Sequence, residues 1–318
     1  MSLESYDTLF NEFKTVTPEE WKNKIIKNLK GEQFEKLIWH ANNEIEVLPF
    51  YTREDNQKYQ LNIPVKQNKN WLITEKIAVN DVTTANKNAI FALEGGANAI
   101  IFDFQNQSFT SVQINTLLNN ILIEIAPVTF VNFLSDNKKR LESEVQNSCP
   151  DIVKIPPHNS VVDELVFALK ETNQADPILN NFHFYISQNY FFEIAKLRAF
   201  RWLWKQLSEL KKQSGNVVIQ SETNVNQQND KEEYTNMLSN TTEAMSAILG
   251  GCDSLIINSH DSFLNNTDFG KRIARNINHI LQQESYFNEL NDVAKGSYYI
   301  EYLTYQLSKK SWEKFTKL

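Results

Sequence analysis

At 318 residues, with 41% hydrophobic and 22% charged side chains, the chain has an ordinary globular composition and enough length for a sizeable core. A formal net charge of −7 argues against a nucleic-acid or anionic-membrane surface. The two cysteines, Cys149 and Cys252, have no metal-ligand spacing and make no disulfide framework, as expected of reduced thiols in a cytoplasmic protein.

The N-terminus, MSLESYDTLFNEF, has no basic stretch followed by an apolar run, so it does not read as a signal peptide. No apolar segment approaches the roughly 18–20 residues that span a bilayer. Residues 1–68 read as an arm ahead of the main domain. Thr17 is a candidate N-cap and Pro18 suits the first helical position. The helix they open carries Trp21, Ile25, Ile26 and Leu29 and stops at Gly31. An extended, mixed stretch bearing Val47, Leu48, Phe50 and Tyr51 is expected from Ile45 to Tyr59. Such an arm exposes aromatics unless it packs on its own domain or on a partner subunit.

From residue 69 to 318 the pattern alternates with the spacing of a (β/α)8 TIM barrel. Strands are expected at Trp71–Ile77, Asn98–Phe104, Val128–Phe133, Ile152–Ile155, His183–Ser187, Val217–Glu222 and Ser254–Asn258. The intervening helices are Asp81–Glu94, Val112–Ile123, one near Lys138–Gln146, Val161–Lys170, Tyr190–Leu210 and Glu232–Leu249. Gly95-Gly96 and Gly250-Gly251 supply helix stops. A further helix carries Phe269, Ile273, Ile277, Ile280 and Leu281. An eighth strand is placed between Tyr286 and Val293, and Ser297–Phe315 closes the barrel. The strands are rich in Ile, Val, Leu and Phe, as expected when both faces are buried. Helix Tyr190–Leu210 is apolar on two faces, which calls for cover from the arm or from another subunit as well as from the barrel.

Barrel enzymes place their chemistry at the C-terminal ends of strands. The polar residues expected there are Lys76, Asp103, Asn132, Lys154, Glu222, Asn258 and His260, a candidate mouth pocket that any barrel could show. No pair among the five histidines has metal-ligand spacing, and His158 and His183 read as loop or packing residues. There is no HExxH, CxxC or GxSxG motif and no glycine-rich phosphate loop.

Several long blocks carry a resemblance. TTEAMSAILGGCDSL, NSHDSF, TDFGKRIARNINHILQQES and KGSYYIEYLT closely resemble the barrel domain of methylmalonyl-CoA mutases. YFFEIAKLRAFRWLW (Tyr190–Trp204) is similar to that family's helix after the fifth strand. Trp21, Leu29-Lys30-Gly31, Leu37, Trp39 and Pro49-Phe50-Tyr51-Thr52 resemble its arm in the form typical of the small subunit. The likeness covers about 190–304 and 20–55 and is weak between 70 and 180. It implies an adenosylcobalamin-dependent complex in which arms embrace the other subunit, so the expected partner is a large catalytic chain in a heterodimer. A homodimer of the isolated chain and binding of an acyl-CoA stay open, as does a barrel enzyme with a rebuilt site. In the family the cofactor sits between the barrel and a C-terminal domain whose Asp-x-His-x-x-Gly histidine ligates cobalt. This sequence has no such motif and reaches Leu318 directly after the closing helix, so the expectation is that it binds no cofactor itself.

The family's Tyr-His pair has no match in IVKIPPHNSVVDEL, its Thr-Ser-Gly-Trp-Ser-Leu-Thr loop is ETNVNQQND here, and its Asp-Glu acid is Asp261-Ser262. The resemblance therefore implies no catalytic, cofactor-binding or metal residues. It does retain Glu193 and Asn276, and a set expected to serve as scaffold or interface: Trp39, Tyr51, Lys196, Arg198, Arg201, Trp202, Trp204, Arg272 and Arg275.

Overall fold

Thr17 caps the first helix, α1 (Pro18–Asn28): its hydroxyl accepts the Glu20 amide at 3.2 Å and the Glu20 carboxylate accepts the Thr17 amide at 2.8 Å. The helix ends before Gly31, whose φ of +103° a side chain would resist. A computed structural model gives this picture and describes residues 14, 16–41, 45–66, 68–134, 151–225, 233–263 and 266–318. It divides the chain into two units, Met1–Lys58 and Tyr59–Leu318. In the first, β1 (Trp39–Ala41) pairs antiparallel with β2 (Ile45–Val47), and Trp21 meets Phe50 edge to face at 6.3 Å. The stretch expected to be extended from Ile45 to Tyr59 is strand only to Val47. Thr52 donates its amide and hydroxyl to Asp55 Oδ2, at 3.0 and 2.8 Å, and this cap turns Arg53–Tyr59 into a short helix, α2.

The second unit is a curled, TIM-like sheet of seven parallel strands with helices between them. Its strands are β3 (Leu72–Ala78), β4 (Ala99–Gln107), β5 (Val128–Phe133), β6 (Ile152–Ile155), β7 (Asn181–Ile186), β8 (Val218–Thr223) and β9 (Ser254–Ile256). They lie in the order β5-β4-β3-β9-β8-β7-β6. The helices are α3 (Val82–Glu94), α4 (Ser111–Leu118), α5 (Val161–Gln174), α6 (Tyr190–Leu210), α7 (Glu233–Leu249), α8 (Asp268–His279) and α9 (Tyr298–Phe315). The helix expected near Lys138–Gln146 lies outside the described residues.

The eighth strand is not where the sequence placed it. β9 pairs directly with β3, Leu72 opposite Ser254 and Ile73 opposite Leu255, while Tyr286–Val293 is turn and coil. That segment offers Asn288, Glu289, Asn291 and Asp292 where a buried strand needs apolar residues. Its polar groups are tied instead to the approach to β3: Asn288 Nδ2 donates to Asn70 Oδ1 at 2.7 Å, and Lys69 Nζ to the Glu289 carbonyl at 2.9 Å.

The two edge strands, β5 and β6, curl toward one another without a ladder between them. A cavity of ≈ 110 Å³ is lined by residues of all seven strands, among them Thr129 of β5 and Ile152 of β6. Outside the sheet, Phe102, Phe104 and Phe130 are buried with Ala85, Ala89, Ile114 and Leu117 of α3 and α4. Phe182 and Phe184 meet Phe200 of α6 at 4.7 and 4.9 Å between ring centroids. Each such ring contributes about 1.5–3 kcal/mol by burial. The second apolar face of α6 packs against α9, α5 and α7 of the same unit, while Trp202 stays half-buried and Phe191 is 49% exposed. No helix among the described residues is long and apolar enough to cross a membrane.

Candidate functional site

The inward-facing positions of a strand alternate with the helix-facing ones, and in β7 this puts Asn181, His183 and Tyr185 inside and Phe182, Phe184 and Ile186 outside. Parallel register then places Tyr185 beside Glu222 of β8, and Glu222 beside Ile256 of β9. Glu222 is the centre of the mouth. Its carboxylate pairs with Lys76 of β3, accepts Asn258 Nδ2 at 3.2 Å, and stands 3.1 Å from His183 Nε2. His183 Nδ1 shares a hydrogen bond with Gln220 at 2.8 Å. Burial alone would push the Glu222 carboxyl up, but His183 and Lys76 outweigh it and hold it down to about 2.

A second chain of contacts spans the open edge of the sheet. Lys154 Nζ of β6 donates to Asn132 Oδ1 of β5 at 2.6 Å, and Asn132 Nδ2 donates to Asp103 Oδ1 of β4 at 2.7 Å. The Gln105 amide donates to the same Asp103 oxygen at 3.0 Å. Gln105, Asn106 and Asn132 all hold left-handed backbone, with φ of +50°, +62° and +54°, and the β4–β5 register shifts between Asp103 and Gln107. Burial lowers the Lys154 ammonium, with Lys76 adding to the effect and Asp103 and Glu222 opposing it. Burial and the neighbouring Glu222 raise the Tyr185 phenol.

Of the residues expected at the mouth, Asp103, Asn132, Lys154, Glu222, Asn258 and Lys76 fall into these two networks. His260 does not join them. It is buried, its ring 6.3 Å from Phe269, and its carbonyl accepts Asn236 Nδ2 at 3.2 Å. His183 and Tyr185 are the residues that sequence reasoning missed, and the strict alternation of NFHFYI was the signal for them. Chemically the mouth is a set of acids and bases gathered close together, its buried carboxylate paired with a lysine and standing beside a histidine with which it forms no hydrogen bond.

The model of the family described as methylmalonyl-CoA mutase matches residues 169–318. A methylmalonyl-CoA mutase small subunit of Porphyromonas gingivalis is 29% identical over 97% of this chain and 64% of its own length. Residues 169–318 carry the sequence pattern of the methylmalonyl-CoA mutase family. A mutase of Rhizobium meliloti is 40% identical over 42% of this chain, and a probable mutase small subunit of Mycobacterium bovis 32% over 39%. The matches span 19% and 22% of those relatives, so the chain covers less than two thirds of the curated relatives it resembles.

The barrel unit keeps most of its retained charges behind the sheet. Lys196 sits between Glu193 and Glu164 at 2.6 and 2.8 Å and donates to the Tyr185 carbonyl at 3.0 Å. Burial opposes the Lys196 charge, yet the two carboxylates hold its pKa above the ordinary lysine value. Arg198 reaches Asp292 and Glu301 at 3.0 Å each, Arg201 reaches Asp253 at 2.8 Å, and Arg275 pairs with Glu75. Arg272 and Asn276 are exposed, Arg272 lying 5.4 Å over the Phe269 ring. Trp204, expected as scaffold or interface, is 2% exposed and donates to the Leu179 carbonyl at 2.9 Å, so within this unit it packs in the core. Trp202 is half-buried. In the first unit Trp39 is 49% exposed, and the Tyr51 hydroxyl accepts the Leu48 amide at 2.9 Å.

The family's adenosylcobalamin would need a histidine offered to cobalt, and the mouth histidines do not fit. His183 is enclosed by Gln220 and Glu222, and His260 is buried against Phe269.

Proposed function

We propose that this chain is the small, non-catalytic subunit of an adenosylcobalamin-dependent methylmalonyl-CoA mutase, working in the cytoplasm. It pairs with a large subunit that binds the cofactor and interconverts methylmalonyl-CoA and succinyl-CoA. The observation that carries this reading is the mouth itself: Glu222 is committed to Lys76 and His183, and Asp103 is joined to Lys154 through Asn132. A general acid or base must keep an open hydrogen-bonding direction toward substrate. Here Glu222 Oε1 is taken by Lys76 and Asn258, and Asp103 Oδ1 by Asn132 and the Gln105 amide, which supports a mouth that braces a barrel and leaves the chemistry to a partner. Likeness to a small subunit over 97% of the chain supports the same assignment. Trp21 and Trp39, 51% and 49% exposed, support an arm over residues 1–68 that lies against the large subunit.

The test is co-expression with the long mutase chain of the same genome, purification through a tag on this chain, and assay for cobalamin and turnover. A one-to-one complex is expected, active only while the long chain can ligate cobalt. Turnover by this chain alone, or no complex, would overturn the proposal in favour of a rebuilt barrel site or a cofactor-free binding module.

A further inference from the structure

At the N-terminal ends of β8 and β9, away from the mouth, a cavity of ≈ 180 Å³ is walled by Trp204, Val217 and the segment that carries Lys66. Its volume far exceeds the roughly 10–15 Å³ that one water requires. Two buried cations line it, and they differ. Arg201 is well partnered: it donates to the carbonyls of Val217 at 3.1 Å and Gly251 at 2.7 Å and to Asp253 Oδ2 at 2.8 Å. Asp253 is engaged in turn, since the same oxygen also accepts the Ile219 amide at 2.8 Å. Lys66, 7% exposed, makes a single hydrogen bond among the described residues, to the Cys252 carbonyl at 3.2 Å.

An ammonium has three donors, and a charge held this deep is normally paired. One carboxylate therefore faces two buried cations beside an open volume, and the surplus is positive. We propose that this cavity binds a small oxyanion, a carboxylate or phosphate group, through the Lys66 ammonium with the Arg201 guanidinium behind it. The walls set the rest of the ligand: Trp204 and Val217 favour a compact group with a short apolar neighbour over an extended polar one. Burial lowers the Lys66 pKa, the response of a cation short of counter-charge, and an oxyanion would reverse it.

Calorimetric titration of the whole protein with inorganic phosphate, and separately with acetate, tests this and separates the two anion sources. We expect one site per chain for at least one of them, weakened about tenfold or more in Lys66→Met, which keeps the stem and removes the charge. Carbon NMR titration of the Lys66 side chain in the wild type covers the case of a variant that fails to fold, and its pKa should rise when the anion is present. No binding of either anion, binding unchanged by Lys66→Met, or a Lys66 titration indifferent to the anion would overturn the site.

Discussion

The barrel unit neutralises its charges in two ways, and the contrast separates what holds the fold from what faces the opening. Behind the sheet, Lys196, Arg198, Arg201 and Arg275 each meet a carboxylate directly. Arg198 of α6 joins Asp292 and Glu301, and Lys196 joins Glu193 with Glu164 of α5. At the mouth, Lys76 meets Glu222 in that way, with His183 beside the same carboxylate. Lys154 touches the Asn132 amide, and the charge of Asp103 lies one residue further on. The first pattern ties elements far apart in sequence within a dry layer. The second closes the seam between two edge strands with groups that water can reach.

The largest effect is therefore expected behind the sheet. Arg198→Met would leave Glu301, which is 0% exposed, without its cation, and a carboxylate stranded in that way costs about 3–5 kcal/mol. Urea unfolding should show the loss as a lower midpoint with a similar slope. A variant as stable as the wild type would mean that the helix-side pairs do not brace the fold, and the contrast would collapse.

A smaller effect, of opposite sign at alkaline pH, is expected at Glu243 of α7. It is 2% exposed, accepts the Asn224 amide at 2.9 Å, and has no cation of its own in hydrogen-bond reach among the described residues. Burial pushes its carboxyl up to about 7, with Glu193 adding to the rise and the Asn224 amide opposing it. A folded-state pKa above the unfolded one gives stability that is full below about 4.5 and lost as pH rises through about 7. Glu243→Gln keeps the oxygen that accepts the amide and removes the titration. It should raise stability at pH 8 by roughly 1–3 kcal/mol and flatten the profile between those two values. Thermal unfolding over that range checks it. An unchanged slope would place the titration elsewhere.

The same contrast explains what could be read from the chain. Apolar periodicity located seven strands and α6 closely, because a buried element must show its period wherever it lies. Val128–Phe133, Ile152–Ile155 and Tyr190–Leu210 run between the expected residues. The eighth strand was a demand of the fold pattern rather than of any residues, and Tyr286–Val293 lacks the apolar run that a strand needs. Lys196, Arg198, Arg201 and Arg275 were legible as retained residues, but their partners were not. Asp292 and Glu301 stand close to Arg198 only after the closing helix has packed on α6. Trp204 was legible as scaffold or interface without a choice between the two, because periodicity tells that a face is covered and not by what. His183 was set aside as packing, although strand parity turns it inward with Tyr185.

Asp103→Asn should have the smallest effect. The substituted side chain keeps an oxygen for the Gln105 amide, which holds the left-handed turn at Gln105 and Asn106, and for Asn132 Nδ2. What disappears is one negative charge that reaches Lys154 only across an amide. At a water-accessible mouth such a charge contributes at most about 1 kcal/mol. Stability should fall by no more than that, and turnover of a complex with the large subunit should stay near wild type, because the asparagine keeps the Oδ1 that holds Gln105 and Asn132 in the brace. The two readouts move independently. A stability loss with turnover intact would only deepen the structural role of the seam. Assembly and stability intact with turnover lost would mean that Asp103 reaches a reacting group, and the mouth would then have to be read as a working site.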